Sequence, residues 1–531
     1  MLINKKIAKY TFIILISVLI FFLNLKPALD PDLGWHLRSG QDLLSTKTIP
    51  HLDPYSYTMP DWDRESHDWL INGALYFITA KYGLFTLSVI FALITSLSFF
   101  LISRLVKTKI EYSLVAVLLA SLGSLPITGV RAQMITLFCL ALLLFILFRF
   151  RGQQNKKGIY FLPLLFIAWA NLHGGFSIGL SVLGLFLFFE GIKIAYPWLR
   201  EKYHHSKNPL RALKFFHLKQ NTNIRWLNKI KKITAFLKNK LISDNQWTKE
   251  SLSRQSWWKL VYLSLFSFAA TFINPYGYRL YSLIITVARD SYGRARIGEW
   301  QPFNFRSPTG WEFLLYLILL SILVLLYFKK LDLTLIGSSF VLSYLAFSSW
   351  RNMPIVIIMT IPLWVFIVKN IADPVLLKLL HHRLILLLFL IATLIIGYQQ
   401  ISATWTTSHD ETIFAKAGKY PLDAIKYIKA HPQDFQGNMY NEYNWGGYLI
   451  WQLPEHKVFI DGRMPHLKIG DRHIFKDFND LQELKNPKDI IAKYNIDWFL
   501  LYRGRLVSFY LPNEGFQEVY QDDLAVILKK K

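Results

Sequence analysis

Two carboxylates stand close together just after the first apolar run of the chain. Asp30 and Asp32 flank Pro31, directly beyond the predicted membrane span 8–25. Ionisable groups at such a position are seldom without a function. Because a residue before proline is pushed towards extended geometry, the two carboxylates lie in a turn and can face one cleft. There a carboxylate can accept a proton from a hydroxyl group or bind a divalent cation. We predict a catalytic role for Asp32 first and Asp30 second; helix capping by one of them is the alternative.

Three more residues extend this candidate acidic centre. Trp35 and His36 follow within one helical turn, and Glu299 lies in a distant loop. His36 could orient a carboxylate or donate to a phosphate as a further catalytic candidate, whereas Trp35 is a substrate-binding candidate or an interfacial anchor. Glu299 could complete a catalytic carboxylate pair with Asp32, or be a solvated loop acid. Asp30, Asp32 and Glu299 together form a candidate site for Mg²⁺ or Mn²⁺.

Cations and a histidine stand at predicted helix ends on the same side. The planar guanidinium groups of Arg131 and Arg351 can grip a phosphate, while snorkelling to the interface would need no ligand. His173, in Asn-Leu-His-Gly-Gly, follows a short predicted helix, and the glycines allow close approach. It could be a ligand or a donor; a helix-end histidine bonded to a carbonyl is the alternative. His67 and Trp69 are further candidate contacts, each alone more readily explained as structural.

Aromatic and amide side chains mark the remaining candidates. Two of them open the predicted outer loop 274–310, two lie in the aromatic-rich stretch 438–451, and one ends a predicted strand. We count these as substrate-binding candidates: Asn274, Tyr276, Tyr443, Trp445 and Arg463. Such a mixture is typical of sugar- and peptide-binding surfaces. Packing on a domain core is the alternative for the stretch 438–451.

Long apolar runs dominate the chain. Of the 531 residues, 53% are hydrophobic, and a bilayer core of ~30 Å needs about 20 apolar residues per helix. Apolar length predicts eleven membrane spans. They cover roughly 8–25, 84–106, 113–129, 132–149, 159–172, 175–196, 258–273, 311–328, 331–348, 353–369 and 383–401. The predicted fold class is therefore an all-α polytopic membrane bundle, formed by 1–402.

Basic residues give the predicted orientation. The formal net charge is +25, and Lys and Arg cluster before the first span, after several others, and in 197–257. All these clusters fall on one side of the predicted bundle, which the positive-inside rule makes cytoplasmic. We predict a bacterial plasma-membrane protein with a cytoplasmic N-terminus, and a basic cytoplasmic insertion at 197–257 held against anionic membrane lipids. No motif supports nucleic-acid binding. The loops 26–83 and 274–310 then lie outside.

The last stretch, 403–531, is predicted to be a small soluble α/β domain on the extracytoplasmic side. Short β-rich runs alternate there with helical patterns such as 487–494, where Asn486 is a candidate cap. The β-rich runs are 437–441, 457–461, 497–503 and 524–529. Strands that alternate with helices indicate a layered α/β domain.

The arrangement resembles the GT-C type of multi-pass glycosyltransferases, which use polyprenyl-phosphate-linked sugars. That group includes protein O-mannosyltransferases, the aminoarabinose transferase of lipid A and the oligosaccharyltransferase catalytic subunit. Its acidic motif lies in the first outer loop, which also carries surface helices; Asp30-Pro31-Asp32 and 33–83 match in position. The stretch 443–448 distantly resembles the Trp-Trp-Asp-Tyr-Gly acceptor motif but lacks the Asp. Several motifs, from Asp-Pro-Asp-Leu-Gly-Trp-His-Leu to Trp-Gly-Gly-Tyr-Leu-Ile-Trp, also resemble a broad group of uncharacterised bacterial membrane proteins assigned as glycosyltransferases.

The resemblance implies an inverting glycosyltransferase. A polyprenyl-phosphate-sugar donor would enter from the outer leaflet, Arg351 and Arg131 would hold its phosphate, and Asp32 would act as base on an acceptor hydroxyl, assisted by Asp30 and His36. The acceptor would be a glycan, a lipid or a protein, and a divalent cation is an optional cofactor. A surface-glycan polymerase or ligase is one alternative. A transporter or flippase is another, which the near absence of acidic residues within the predicted spans disfavours.

Overall fold

The computed structural model describes residues 5–153, 156–205, 251–372, 375–470 and 472–531. Within these ranges the chain is mostly helical, with one small sheet near the C-terminus. The predicted basic insertion, 197–257, lies outside the described residues from 206 to 250.

The helices before residue 410 form the apolar part of the molecule. They are α1 (Lys5–Asn24), α2 (Leu33–Thr46), α3 (Trp69–Ser103), α4 (Ile110–Ser124), α5 (Gln133–Arg151), α6 (Leu162–Leu172), α7 (Phe176–His205), α8 (Arg254–Ala270), α9 (Arg279–Arg289), α10 (Ser291–Arg296), α11 (Pro308–Tyr327), α12 (Leu333–Ser348), α13 (Met353–Ala372), α14 (Val375–Leu380) and α15 (Arg383–His409). Their buried faces share one large apolar core.

Each predicted span falls on one of these helices. Among the described residues, seven helices are long and apolar enough to cross a membrane, namely α1, α3, α5, α7, α11, α13 and α15. The helices α4, α6 and α12 are apolar but shorter, at 10–17 residues. The described residues thus contain seven candidate membrane spans, while the count of eleven stays a prediction.

The loop 26–83 contains two helical segments, α2 and the first part of α3. Gly83 divides α3, because its φ of 82° is a left-handed conformation that glycine adopts without steric cost. The apolar part of α3 follows this kink. A Cβ atom on Gly40 of α2 would overlap the carbonyl oxygen of Asn72 in α3. The missing side chain therefore lets α2 lie directly on the start of α3, in the segment that carries most candidate residues.

The C-terminal segment folds as helices around a four-stranded sheet. Its elements are α16 (Glu411–Gly418), α17 (Leu422–Ala430), β1 (Asn438–Asn441), α18 (Gly446–Gln452), α19 (Ile474–Gln482), α20 (Pro487–Lys493), β2 (Ile496–Tyr502), α21 (Leu506–Tyr510), β3 (Phe516–Gln521) and β4 (Ala525–Lys530). The strand order is β1-β2-β4-β3, with β1 and β2 parallel and the other pairs antiparallel.

Some local predictions for this domain need correction. The run 457–461 is not a strand of the sheet, because Val458 pairs with Ser56 of the first loop in an isolated bridge. Strand β3 was not expected, since its exposed polar residues hide the pattern. Asn486 precedes α20, but its side chain makes no capping bond. Helix α15 continues to His409, past the predicted domain start at 403, and that boundary stays a prediction.

The domain is docked on the loop that follows α1. The Val458 N–H donates to the Tyr55 carbonyl at 3.0 Å, and the Thr58 hydroxyl donates to the Phe459 carbonyl at 2.8 Å. Trp35 also belongs to the apolar core of the domain. Residues separated by some 400 positions therefore form one structural unit around the acidic stretch.

Candidate active site

The two aspartates occupy a turn at the start of α2. The Asp30 Oδ1 atom accepts a hydrogen bond from the Asp32 N–H at 2.9 Å. Asp32 stands at the N-cap position, but its side chain makes no capping bond. Its Oδ1 instead accepts from the Trp35 indole N–H at 3.0 Å. The capping alternative thus does not apply to the Asp32 carboxyl, and Trp35 is the residue that orients it.

A chain of ion pairs joins the predicted carboxylates and arginines. Arg131 Nε lies 2.8 Å from Asp30 Oδ2, and Arg131 Nη1 lies 2.8 Å from Glu299 Oε2. Arg351 Nη1 lies 2.9 Å from Glu299 Oε1. Asp30, Asp32, Arg131, Glu299 and Arg351 therefore form a single cluster, which we call the carboxylate–arginine cluster. Its ion-paired side chains remain between 16% and 35% exposed, so the cluster is only partly buried.

Short loops between helices hold the cluster in place. Gln133, at the start of α5, donates from Nε2 to the Arg351 carbonyl at 2.8 Å. The Ser349 hydroxyl donates to the Glu299 carbonyl at 3.0 Å, and the Trp350 indole N–H donates to the Gly298 carbonyl at 2.7 Å. The loop that carries Glu299 is thus tied to the loop that carries Arg351.

The C-terminal domain reaches the cluster directly. A Cβ atom on Gly462 would overlap the Asp32 Oδ1 atom, so a side chain at this position would displace the carboxyl group. Tyr443 is half-buried and packs on Phe475, with ring centroids 5.2 Å apart. Burial and the nearby Asp32 carboxyl raise the pKa of Tyr443 well above its usual range. Tyr443 therefore offers a protonated hydroxyl near the cluster, as a substrate-binding candidate should.

Electrostatics separate the roles that the carboxyl groups can take. Burial and the neighbouring Asp30 carboxylate raise the pKa of Asp32 to about 7. The two arginines outweigh the effect of burial on Glu299 and lower its pKa. Asp30 and Glu299 likewise keep the pKa of Arg131 above its usual value despite burial. Asp32 is thus the carboxyl group suited to exchange a proton near neutral pH.

The predicted cation site fits these residues poorly. Asp30 and Glu299 direct their oxygens at guanidinium groups, and Asp32 Oδ1 is bound by an indole N–H. Among the residues that the structure describes, no group of three or more His, Cys, Asp or Glu side chains is arranged to hold a metal ion. We therefore derive no step through a metal, and Mg²⁺ or Mn²⁺ binding stays an untested prediction.

His36 lies beside the cluster but does not orient its carboxylates. Its Nδ1 atom is 2.6 Å from Asn72 Oδ1 and 3.5 Å from Asp68 Oδ2, and its ring lies 3.6 Å from the Trp35 ring. Burial lowers its pKa, so the ring is neutral. The expected contact to Asp30 or Asp32 is replaced by contacts to the start of α3, because α2 is packed there.

Two predicted ligand contacts are instead structural. Trp445 is fully buried, and its indole N–H donates to the Lys419 carbonyl at 2.8 Å. Arg463 is buried between Asp53 and Asp461, and its Nη2 lies 2.6 Å from Asp461 Oδ2. Both side chains are therefore committed to the protein. For Trp445 this is the core-packing alternative. For Arg463 there was no such indication in the sequence, because a turn after a strand does not tell which way its side chains face.

The loop at Asn274 forms a compact turn of its own. Asn274 Oδ1 accepts from the Tyr276 N–H at 2.7 Å, and its Nδ2 donates to the Thr271 carbonyl at 2.7 Å. Tyr276 is buried, with a hydroxyl that meets no partner among the described residues. The contacts of Asn274 explain its presence through the turn. The Tyr276 hydroxyl is shielded from solvent, so substrate binding by either residue stays a prediction.

Several contributors had no clear signal in the sequence. Three of them contact site residues only because helices cross at particular points: Gln133, Asp68 and Asn72. Gly462 contributes only because another segment of the chain approaches it.

Comparison with known proteins adds no assignment, since no protein-family model matches the chain and no curated protein matches it.

Proposed function

We propose that this protein is an integral membrane glycosyltransferase. It moves a sugar from a polyprenyl-phosphate donor to an acceptor hydroxyl group on the outer face of a bacterial plasma membrane, with inversion at the anomeric carbon. The carrying observation is the carboxylate–arginine cluster, in which a carboxyl of pKa about 7 adjoins two arginines that share one carboxylate.

The proposed chemistry is a single displacement. Asp32 accepts the proton of the acceptor hydroxyl as its oxygen attacks the anomeric carbon, while Trp35 holds the carboxylate. The bond from that carbon to the phosphate oxygen breaks, and the phosphate leaves with the bonding electron pair. Such a leaving group needs stabilisation of negative charge, which Arg131 and Arg351 supply. Attack opposite the leaving group inverts the anomeric centre.

Glu299 has a defined part in this proposal. Its carboxylate lies between the two guanidinium groups, where a phosphoryl group with two free oxygens could also be bound. Because two anions cannot share the arginines without strong repulsion, phosphate binding displaces the Glu299 side chain. The exchange also restores the overall charge of the cluster after the donor enters.

The proposal leaves the acceptor class open among glycans, lipids and proteins. A surface-glycan polymerase or ligase would use the same cluster with a lipid-linked acceptor. A transporter would not require a base beside the arginines. If the protein is a transporter, loss of that base would not alter a sugar-transfer reaction measured with purified protein.

Glycan analysis in cells tests the proposed function. Cells that lack the protein are complemented with the wild type, with Asp32→Asn, or with Asp423→Asn, a control at an exposed carboxylate (71% exposed). In cells that lack the protein, mass spectrometry of lipid-linked and surface glycans should show that one glycan lacks a sugar and that a polyprenyl-phosphate sugar accumulates. Cells complemented with Asp32→Asn should show the same change. Wild type and the control should restore the glycan. Restoration by an expressed Asp32→Asn protein, or unchanged glycans in the deletion strain, would overturn the proposal.

A further inference from the structure

The hydrogen bonds around His173 determine which ring nitrogen carries its proton. The Trp169 indole N–H donates to Thr136 Oγ1 at 3.0 Å, so the Thr136 hydroxyl is free to donate onward to His173 Nδ1 at 2.8 Å. The Gly175 N–H donates to the same Nδ1 atom at 3.1 Å. A nitrogen that accepts hydrogen bonds has no proton, and a neutral imidazole carries its proton on the other nitrogen. His173 therefore presents Nε2–H.

His173 stays neutral in this setting. Burial, His67 and Arg351 lower the pKa of His173 to about 3. Within the described part of the chain, no residue accepts a hydrogen bond from Nε2. The side chain is thus a fixed, uncharged hydrogen-bond donor, and no described residue accepts its Nε2–H.

A second imidazole stands against the first. The His67 and His173 ring centroids are 5.9 Å apart, with the rings at 73°. No described residue forms a hydrogen bond with the His67 side chain, and only its backbone N–H is used, towards the Glu65 carbonyl. Burial lowers the pKa of His67, so its neutral ring offers one donor and one acceptor.

The glycines of the Asn-Leu-His-Gly-Gly motif build this pair. A Cβ atom on Gly175 would overlap the Thr136 side chain, which fixes His173. A Cβ atom on Gly174 would lie 3.1 Å from His67 Cδ2, tighter than ordinary contact. The start of the motif is anchored too, because Asn171 accepts from the Trp69 indole N–H at 3.1 Å. The motif thus positions two imidazoles whose polar atoms the protein leaves available.

We propose that His173 and His67 form a hydroxyl-binding subsite for the sugar of the polyprenyl-phosphate donor, with His173 Nε2–H as a donor and the His67 ring as both donor and acceptor. The inference rests on the proposed function. Gln133, which donates to the Arg351 carbonyl, and Thr136, which contacts His173, lie one helical turn apart on α5, so the pair lies on the side of the bundle that carries the proposed phosphate position. A phosphate oxygen only accepts, so it would leave the free His67 nitrogen unmatched, whereas a hydroxyl group donates and accepts.

The test compares two lipids on the full-length protein in lipid nanodiscs. One probe is polyprenyl phosphate, and the other is a panel of polyprenyl-phosphate hexoses and pentoses. Wild type should bind both kinds. His173→Phe and His67→Phe should each weaken binding of the preferred sugar-linked lipid by about tenfold, as expected for one lost hydrogen bond of ~1.4 kcal/mol. Both variants should bind polyprenyl phosphate as wild type does.

Thr136→Val supplies a test that keeps both imidazoles. It removes one of the two hydrogen bonds that fix the His173 tautomer and leaves the one from the Gly175 N–H, so ¹⁵N NMR of histidine-labelled protein should show Nδ1 unprotonated in wild type and a larger share of the other tautomer in the variant. The Thr136→Val variant should also bind the sugar-linked lipid more weakly than wild type does. The control is Thr95→Val, a buried threonine whose hydroxyl bonds only to the Phe91 carbonyl in its own helix. It should leave both the NMR signals and binding unchanged.

The outcomes separate the subsite from the proposed function. If wild type binds neither kind of lipid, the proposed function fails, and the subsite fails with it. If wild type binds both but the histidine variants lose both equally, the imidazoles bind phosphate and the subsite inference is overturned alone. Unchanged binding in all three variants, or a proton on His173 Nδ1, would likewise overturn it alone.

Discussion

Gly34 of α2 and Gly447 of α18 lie in backbone contact. A Cβ atom on Gly34 would overlap the Gly447 carbonyl oxygen, and a Cβ atom on Gly447 would overlap the carbonyl oxygen of Pro31. At this point the acidic stretch after α1 meets the C-terminal domain with main chain against main chain. This contact joins the two parts of the molecule at the point where Asp32 stands.

Gly34→Ala should destabilise the protein because its methyl group overlaps backbone atoms that have no rotamer to change. Overpacking of this kind typically costs about 1–3 kcal/mol. Thermal unfolding in detergent should show a lower midpoint, and limited proteolysis should cut sooner within the C-terminal domain. The control is Gly184→Ala in α7, where nothing lies within 4 Å of the added Cβ atom. Equal melting of the two variants would contradict the backbone contact.

Asp32→Asn should stabilise the fold while it slows transfer. The raised pKa of Asp32, about 7, means that the folded state disfavours its ionised form. Between about pH 4 and pH 7 the folded protein therefore binds more protons than the unfolded chain, and wild-type stability falls as pH rises through this window. Melting at pH 8 should be higher for Asp32→Asn by about 2 °C or more, and at pH 4 the two proteins should melt together. A lower midpoint at pH 8 would show that the ionised carboxyl stabilises the fold.

Glu299→Gln should strengthen the binding of polyprenyl phosphate. The carboxylate competes with an incoming phosphate for Arg131 and Arg351, and the amide removes that competing charge. We expect the dissociation constant to fall about fivefold, within the range of single charge-assisted contacts. Glu455→Gln, at an exposed carboxylate of the domain, is the control. Weaker binding by Glu299→Gln would mean that Glu299 organises the arginines without occupying the phosphate position.

Arg463→Ala should destabilise the docking of the domain on the first loop. The change leaves Asp53 and Asp461 buried without their cation, which typically costs about 3–5 kcal/mol. Denaturant unfolding should show this loss, whereas Arg503→Ala, at a side chain 52% exposed, should change little. An unaffected Arg463→Ala protein with impaired donor binding would restore the ligand-binding prediction for Arg463.

The apolar helices and the meeting of distant charges were accessible to sequence reasoning. Apolar length places helices because a bilayer demands it, and basic loops assign each helix end to a side. Arg131, Glu299 and Arg351 were therefore expected on the face that carries Asp30 and Asp32, and the structure brings them into contact.

The direction in which each side chain points on that face could not be predicted from the sequence. His36 was assigned to the aspartates, but the packing of α2 on α3 turns it to Asp68 and Asn72. Substrate binding and core packing were both left open for Trp445, and Arg463 was expected to bind substrate, because composition does not tell which side of a turn is buried. Their positions depend on tertiary packing, as does the bridge between Ser56 and Val458.

The most direct test measures transfer by purified protein in liposomes under single-turnover conditions. Release of polyprenyl phosphate from the donor lipid is followed for wild type, Asp32→Asn and the exposed control Asp423→Asn. The wild-type and control rates should agree and rise with pH through about 7, and Asp32→Asn should be slower by about 10²-fold or more, as for loss of a general base. A folded Asp32→Asn protein that transfers at the wild-type rate would contradict the account.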